Sequence, residues 1–513
     1  MLHARRPPSV YSQEDPLSFA TRPPEAETDL ERRVRLQREA DAKRISDIID
    51  EELKIDKRNY ERSKQDVRLL LLGQAESGKS TLQKQFQLMY SPDSLDQERS
   101  SWRTVVYFNI ARSVKRILEV LESHGDMFDE DASDRIENPY DSTTSKRTLE
   151  ERIHQDIIED SPPQAPRPYP SPLVTETQKL IATLRLRLSP LVAAESTLAD
   201  RLSGGVRVSG SGKGGVYVRH GWQTRSVPRN TPSTALRTRG SSVTNHALPS
   251  PITDGGININ IAEVVEEVGR ILDASKEDVK ALWRSDVVQM MIKRRRLRLE
   301  EWAEFFIGDI DRVAARDYVP STDDILHARI QTMGVSEHLF EVPLHGKSVT
   351  WHLYDVGGAR GQRHSWVPYF DEANAIIFVA PISAFDQYLE EDPRTNRIDD
   401  SLQLFTAICS NQLLKNIHLV LFLNKTDVLQ NKLASGVRVS KYITSYGNRP
   451  NDYESVVNYF RAHFLQVHRK NNEKKRVLYS HLTNVVDIKT TRSIIANVRD
   501  SIFRDYLKSA ALV

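Results

Sequence analysis

A short apolar run, Val67-Arg68-Leu69-Leu70-Leu71-Leu72, feeds directly into Gly73-Gln74-Ala75-Glu76-Ser77-Gly78-Lys79-Ser80, and that junction constrains the chain more than any other feature. The spacing G-x-x-x-x-G-K-S predicts a buried strand that turns through a phosphate-binding loop into a helix. There, successive backbone N–H groups and the helix dipole favour an anion. Residues Glu76, Ser77, Gly78, Lys79, Ser80 and Thr81 are therefore candidate phosphate ligands. Lys79 is placed to reach the β- and γ-phosphates, and the Ser80 hydroxyl to hold Mg2+.

A second apolar run, Leu419 to Leu423, ends in Asn424-Lys425-Thr426-Asp427. A carboxylate at that place can accept both the N1–H and the exocyclic amine of guanine, a donor pair that adenine lacks. Asn424 can bond the base edge, and the Lys425 stem can cover its face. The nucleotide expected is GTP or GDP rather than ATP. Thr350 to Tyr354 alternates like a strand and delivers Asp355-Val356-Gly357-Gly358. Asp355 can hold a Mg2+-bound water there, and Gly358 can offer its N–H to the γ-phosphate. Upstream, Leu326-His327-Ala328-Arg329-Ile330-Gln331-Thr332 sets an arginine three residues ahead of a threonine. The threonine would complete the Mg2+ shell, and the arginine would neutralise charge on the transferred phosphoryl group.

With these motifs in this order, the chain resembles the α subunits of heterotrimeric G proteins. The resemblance covers most of residues 30–513 apart from one long insert. It is strengthened by Arg312 to Phe340, which looks like the family's helical-domain exit and first switch, and by Asp386 to Phe405. It implies an α/β fold: a Ras-like P-loop GTPase domain with an inserted all-α helical domain, a disordered insert and an N-terminal helix. The implied division is 1–27 disordered, 28–64 the helix that contacts Gβγ, 65–92 with 326–513 the GTPase domain, and 93–325 the helical domain. Implied partners are a Gβγ dimer, a seven-helix receptor and an effector such as adenylate cyclase. These α subunits are themselves a standard example of phosphoryl transfer, so the roles of Arg329 and of the water-orienting glutamine are taken over from the family.

The sequence departs from the family pattern at several places. Ala359 follows Gly358 where the family has the glutamine that orients the attacking water, so hydrolysis is expected to slow by about 10^2 or more. The nearest amide is Gln362, which a helical turn would direct elsewhere. Arg360 and Trp366 match the family's second switch and would contribute to Gβγ or effector contacts. Val485 stands where the family has an alanine whose N–H meets the guanine carbonyl, and Glu301-Trp302 replaces an Asp-Ser pair beside the cleft. Both changes predict altered affinity or faster exchange. The apolar end Ala510 to Val513 would dock in a receptor.

Composition limits the remaining possibilities. The 513 residues carry 72 Lys plus Arg against 70 Asp plus Glu, so net charge gives no argument for nucleic acid. The sole cysteine, Cys409, excludes an internal disulfide. No apolar run is long enough to span a bilayer, and no secretory signal is visible. Met1-Leu2 offers no glycine for myristoylation, and no early cysteine is present for palmitoylation. A cytosolic protein is expected, peripheral at the plasma membrane through partners or a basic surface such as Lys293 to Arg298.

Asp29 to Lys64 has Val34, Ile45, Ile48, Ile49 and Leu53 at helical spacings. Residues 130–258 contain a proline-rich run and a stretch of Ser, Gly, Thr and Arg. They are expected to form a largely disordered insertion, with a helix at Val174 to Leu188.

Overall fold

A computed structural model of the protein describes residues 28–63, 66–123, 172–203, 216–218, 222–225, 261–344, 347–471 and 476–509. The N-terminal segment 1–27, most of the insert and the last four residues lie outside them, so the expectations for those stretches do too. Two compact units divide the chain at Asp66 and Val67. In the first, helix α1 (Asp29–Ser63) follows the charged, weakly amphipathic pattern of its sequence, including an i,i+4 pair between Arg35 and Glu39.

The second unit opens with strand β1 (Val67–Leu72), the phosphate loop, and helices α2 (Lys79–Tyr90) and α3 (Pro92–Ser123). Next come helix α4 (Pro172–Ser203), strand β2 (Tyr217–Val218) and a 3-10 turn at Trp222–Arg225. Helices α5 (Ile261–Arg284), α6 (Asp286–Lys293), α7 (Glu301–Gly308), α8 (Ile310–Val313) and α9 (Thr322–His327) lead to β3 (Gln331–Thr332), β4 (Val335–Leu344) and β5 (Lys347–Val356). A 3-10 segment Arg360–Tyr369, strand β6 (Ala375–Pro381) and helix α10 (Arg397–Ser410) follow. The chain continues through β7 (His418–Asn424), α11 (Thr426–Ala434), α12 (Tyr453–Lys470), β8 (Leu478–Thr483) and α13 (Ile488–Ser509).

One sheet of six strands runs in the order β4-β5-β1-β6-β7-β8. Only the β4–β5 pair in it is antiparallel. Strand β1 explains why its sequence is so uniformly apolar. Leu70 and Leu72 face one core, with Phe405 and Ile408 of α10 and Phe460 and Phe464 of α12. Leu69 and Leu71 face another, with Leu82 and Phe86 of α2 and Ile495, Val498 and Ile502 of α13. A parallel strand covered on both faces has no polar side to present. Every parallel strand points its C-terminal end toward the phosphate loop's edge of the sheet, where open α/β folds place ligands.

A third core is mainly helical, built on Trp102, Val106, Phe108, Ile110 and Ile117 of α3 against α4, α5 and α7. Two expectations are corrected here. The helix read at Val174 to Leu188 runs much further, and its Leu188, Leu191, Leu198 and Leu202 are buried in this core. Pro190 sits within it. That part of the insert therefore has enough apolar surface to order, and composition averaged over the longer stretch concealed it. The basic run Lys293 to Arg298, expected as a solvated helix face if not a membrane surface, ends α6 at Lys293 and continues as a turn, with Lys293, Arg294, Arg296 and Arg298 exposed. Arg295 has φ +59° and donates to Asp386 at 3.1 Å, and Arg298 donates to the Asp386 carbonyl at 3.3 Å. Arg295 and Arg298 thereby tie this turn to the segment after β6.

Candidate functional site

The loop between β1 and α2 closes on itself through backbone geometry. Gly73, Glu76 and Gly78 all have positive φ, and a Cβ on Gly78 would lie 2.3 Å from Asn424 Nδ2. Only glycine fits that approach. Lys79 is buried and donates to the carbonyls of Gly73 at 3.0 Å and Gln74 at 2.5 Å. Burial pushes its ammonium down to about 8, with Asp355 pulling it up and Arg363 and Arg397 opposing.

Beside it, three oxygens converge. Ser80 Oγ donates to Asp355 Oδ2 at 2.6 Å, Thr332 Oγ1 donates to the same atom at 3.1 Å, and the two hydroxyls are 3.0 Å apart. Asp355 Oδ1 is buried with no hydrogen-bond partner, and burial raises the carboxyl above its usual range despite the nearby Lys79. A buried carboxylate oxygen without a donor, next to two hydroxyls, suits a hard divalent cation with oxygen ligands. Among the described residues no cluster of three His, Cys, Asp or Glu could hold a metal, so the hydroxyls are needed here.

Arg329 is held between two carboxylates, Glu76 of the phosphate loop and Glu300 just before α7. Burial disfavours its charge, but Glu300 and Glu76 outweigh that and raise it above the ordinary guanidinium value. Burial alone would likewise raise Glu76, whereas Arg329, Arg397 and Lys425 hold it well below the usual carboxylate range. Arg397 also donates to Glu76 at 3.0 Å and to the Ala75 carbonyl at 2.5 Å. The Arg329 backbone is clamped too: Asn109 of α3 accepts its N–H at 2.8 Å and donates to its carbonyl at 2.9 Å.

These groups line a cavity of about 360 Å3 that runs from Lys79, Ser80 and Thr332 to Lys425, Asp427 and Val485. Of the residues expected at the site, Glu76 to Thr81, Leu326 to Thr332, Asp355, Val356, Gly358, Ala359, Asn424, Lys425, Asp427 and Val485 are on its wall. Gly357 and Thr426 are not. Gly357 N–H bonds the Gly334 carbonyl at 2.8 Å, and the Thr426 hydroxyl bonds the Thr483 carbonyl at 3.2 Å.

Asn424 also makes bonds within the protein. Its Nδ2 donates to the Ser77 carbonyl at 2.7 Å, and its Oδ1 accepts from Val485 N–H at 3.2 Å and Thr483 Oγ1 at 3.1 Å. It braces the phosphate loop to the β8 loop, and it occupies the Val485 N–H assigned to guanine. Trp366 is likewise turned inward, donating its indole N–H to the Gly357 carbonyl at 2.9 Å, while Arg360 bonds Asp400 at 3.0 Å.

The sequence reading missed Asn109, Glu300 and Arg397, because no local motif marks a residue that meets its partner only after folding. It flagged Glu301, one position from the glutamate that reaches Arg329.

A profile of the family described as G-protein alpha subunit matches residues 43–502. The chain is a G-protein α subunit. It is 32% identical to a guanine nucleotide-binding protein alpha-4 subunit of Mycosarcoma maydis, over 98% of this chain and 97% of that one. It is 26% identical to a G(o) subunit alpha of Geodia cydonium, over 93% and 97%. A subunit alpha-13 of Mus musculus shares 34% over 46% of this chain and 60% of its own length. Guanine nucleotide binding is thus the family's property, and GTP hydrolysis, Mg2+ and the partners Gβγ, receptor and effector are general to it.

Proposed function

We propose that this α subunit is a GTP/GDP switch in receptor signalling that hydrolyses GTP with Mg2+, working through Gβγ and an effector at the membrane periphery. The observation that carries the reading is the meeting of Ser80, Thr332 and Asp355 beside Lys79, with Arg329 on the same cavity wall. Ser80 and Thr332 would hold Mg2+ directly and Asp355 through water, and the ion would neutralise phosphate charge. The phosphate-loop N–H groups and Lys79 bind the β- and γ-phosphates, Asp427 reads the guanine edge, and Arg329 leaves its carboxylates to meet charge developing on the γ-phosphoryl oxygens. Helices α3 to α9 would form the helical domain that closes one side of the cleft.

The missing glutamine at Ala359 has a substitute in reach. Gln362 N–H folds back to the Ala359 carbonyl at 3.0 Å, and its side chain lines the cavity instead of leaving it. Its Oε1 is buried without a hydrogen-bond partner. A Cβ at Gly357 would lie 1.7 Å from that oxygen and 2.9 Å from the Thr332 carbonyl oxygen, so amide and carbonyl border one small space. From the cavity wall that amide oxygen could accept from a water and orient it. Ala359 equally supports a second reading, a GTP-locked protein that signals by occupancy and exchange alone.

Single-turnover hydrolysis of radiolabelled GTP separates them. With Gln362 as the orienting group, the parent hydrolyses measurably and Gln362→Ala loses about 10^2-fold, the worth of a positioned orienting group. If the parent holds GTP intact and Ala359→Gln restores turnover, the locked reading is correct.

A further inference from the structure

Strand β2 comes from the stretch whose composition argued against packed structure, yet it lies on the first switch. Tyr217 pairs with Gln331 and Val218 with Thr332, in parallel. Gln331 N–H donates to the Val216 carbonyl at 3.1 Å, and Met333 N–H donates to the Val218 carbonyl at 2.9 Å. Thr332 is therefore bracketed on both sides by backbone bonds to the insert, and its hydroxyl is one of the three converging oxygens at the cation site.

So short a ladder is not stable unaided. Its anchorage lies in the helical core, where Val216, Val218 and Trp222 are buried. Trp222 meets Trp102 edge-on, with ring centroids 5.1 Å apart. Ser101 Oγ donates to the Gln223 carbonyl at 3.0 Å, and Gln223 Nε2 donates to Glu98 at 3.3 Å. Trp102 in turn lies under Lys84 Nζ at 4.0 Å from its ring centre, and Lys84 donates to the carbonyls of Ile325 and Ala328, which precede Arg329. Tyr217, Val218, Trp222 and Gln223 also line the nucleotide cavity.

We infer that Val216, Tyr217 and Val218, anchored with Trp222 and Gln223, form a positioning strap: it holds Thr332 in place for the cation and walls in the nucleotide, so the insert sets how tightly GDP is retained. The part concerning GDP rests on reading the cavity as the nucleotide site. The strap is a positioning element, since it acts on the reacting groups through Thr332. Because two backbone bonds are a weak hold, it can release as a unit when the switch moves.

The test uses the full chain in two forms, Trp222→Ala and a replacement of residues 204–260 by a Gly/Ser linker of equal length. Amide hydrogen exchange is followed with and without GDP, together with GDP release. The expected result is that Gln331 and Met333 amides exchange about 10-fold faster or more, with Leu70 and Leu421 unchanged, and that GDP release accelerates about 10-fold. That factor corresponds to one to two backbone hydrogen bonds. Unchanged protection at Gln331 and Met333 in Trp222→Ala overturns the strap, whether or not the linker form folds. Lost protection with unaltered GDP release overturns its positioning role. If GDP neither binds nor raises the melting temperature of the parent, the nucleotide reading fails separately. Exchange at the two amides, which needs no ligand, then still decides whether the strap holds the switch.

Discussion

Arg329→Ala should cut single-turnover GTP hydrolysis by about 10^3-fold or more while leaving GTP binding nearly intact, a magnitude belonging to the cis arginine of this family and taken over from it. What this structure adds is the state from which the arginine starts. Its guanidinium is partly buried and shared between Glu76 and Glu300, so in the proposed role it would exchange carboxylates for phosphoryl oxygens on the way to the transition state. Glu300→Gln should weaken one of those competing contacts. Hydrolysis should then hold or rise, and GDP should leave faster because a tie between the α7 side of the cleft and the phosphate loop is lost. Arg329→Lys should fall close to Arg329→Ala, since a single ammonium cannot span both glutamates or fork across two phosphoryl oxygens. Rapid-quench hydrolysis and fluorescent GDP release on the three variants provide the measurement. A rate for Arg329→Ala within a factor of about 10 of the parent would remove the arginine from the transition state.

Removing Arg329 also leaves an electrostatic problem at the loop. Glu76 would retain Arg397 at 3.0 Å, but Glu300 would lose the charge that faces it. A carboxylate of that kind near incoming phosphates repels them, so Arg329→Ala combined with Glu300→Gln should bind GTP better than Arg329→Ala alone. The pair is therefore expected to be non-additive in binding, and in the chemical step any gain from Glu300→Gln should vanish without Arg329, through which it acts.

How much of this was legible in the sequence depends on whether the information was local. The phosphate loop, the Asp355 strand end and the Asn424 to Asp427 turn each occupy a few consecutive residues, and the structure places all of them around one cavity. The strands ahead of the phosphate loop and of Asn424 were readable because a doubly covered parallel strand must be apolar throughout, and the one ahead of Asp355 because it alternates. Long-range partners carried no such mark. Asn109 and Arg329 are 220 positions apart, and Gln74 and Asp400, joined at 2.6 Å, are 326 apart. Gln362 was misread for a different reason: helical geometry was assumed after Gly358, whereas the segment is a 3-10 turn that brings the side chain back over Gly357. In the insert a helix was expected only as far as Leu188, and averaging over low-complexity sequence hid its continuation to Ser203 and the short strand Tyr217–Val218 with the turn at Trp222–Arg225.

Asp427→Asn should reverse the base preference, lowering GTP affinity by about 10^3-fold and creating affinity for xanthosine triphosphate. The aspartate lies on the cavity wall at the start of α11, at the far end from Lys79. Guanine offers it two donors, the N1–H and the exocyclic amine, and a carboxylate accepts both with charge assistance. Asparagine keeps one acceptor but replaces the other with an N–H2 that opposes the guanine amine. Burying two donors against each other costs more than simply losing a bond. Xanthine carries a carbonyl where guanine carries the amine, so the same N–H2 gains a partner and the N1–H keeps its acceptor. The fold should survive, because Asn424 bridges this turn to Ser77, Thr483 and Val485 whichever residue stands at 427. Competition of the two triphosphates for the purified variant, read by melting temperature, decides the matter. If the variant still prefers GTP, then Asp427 does not face the base, and the specificity resides in Lys425 and the β8 loop instead.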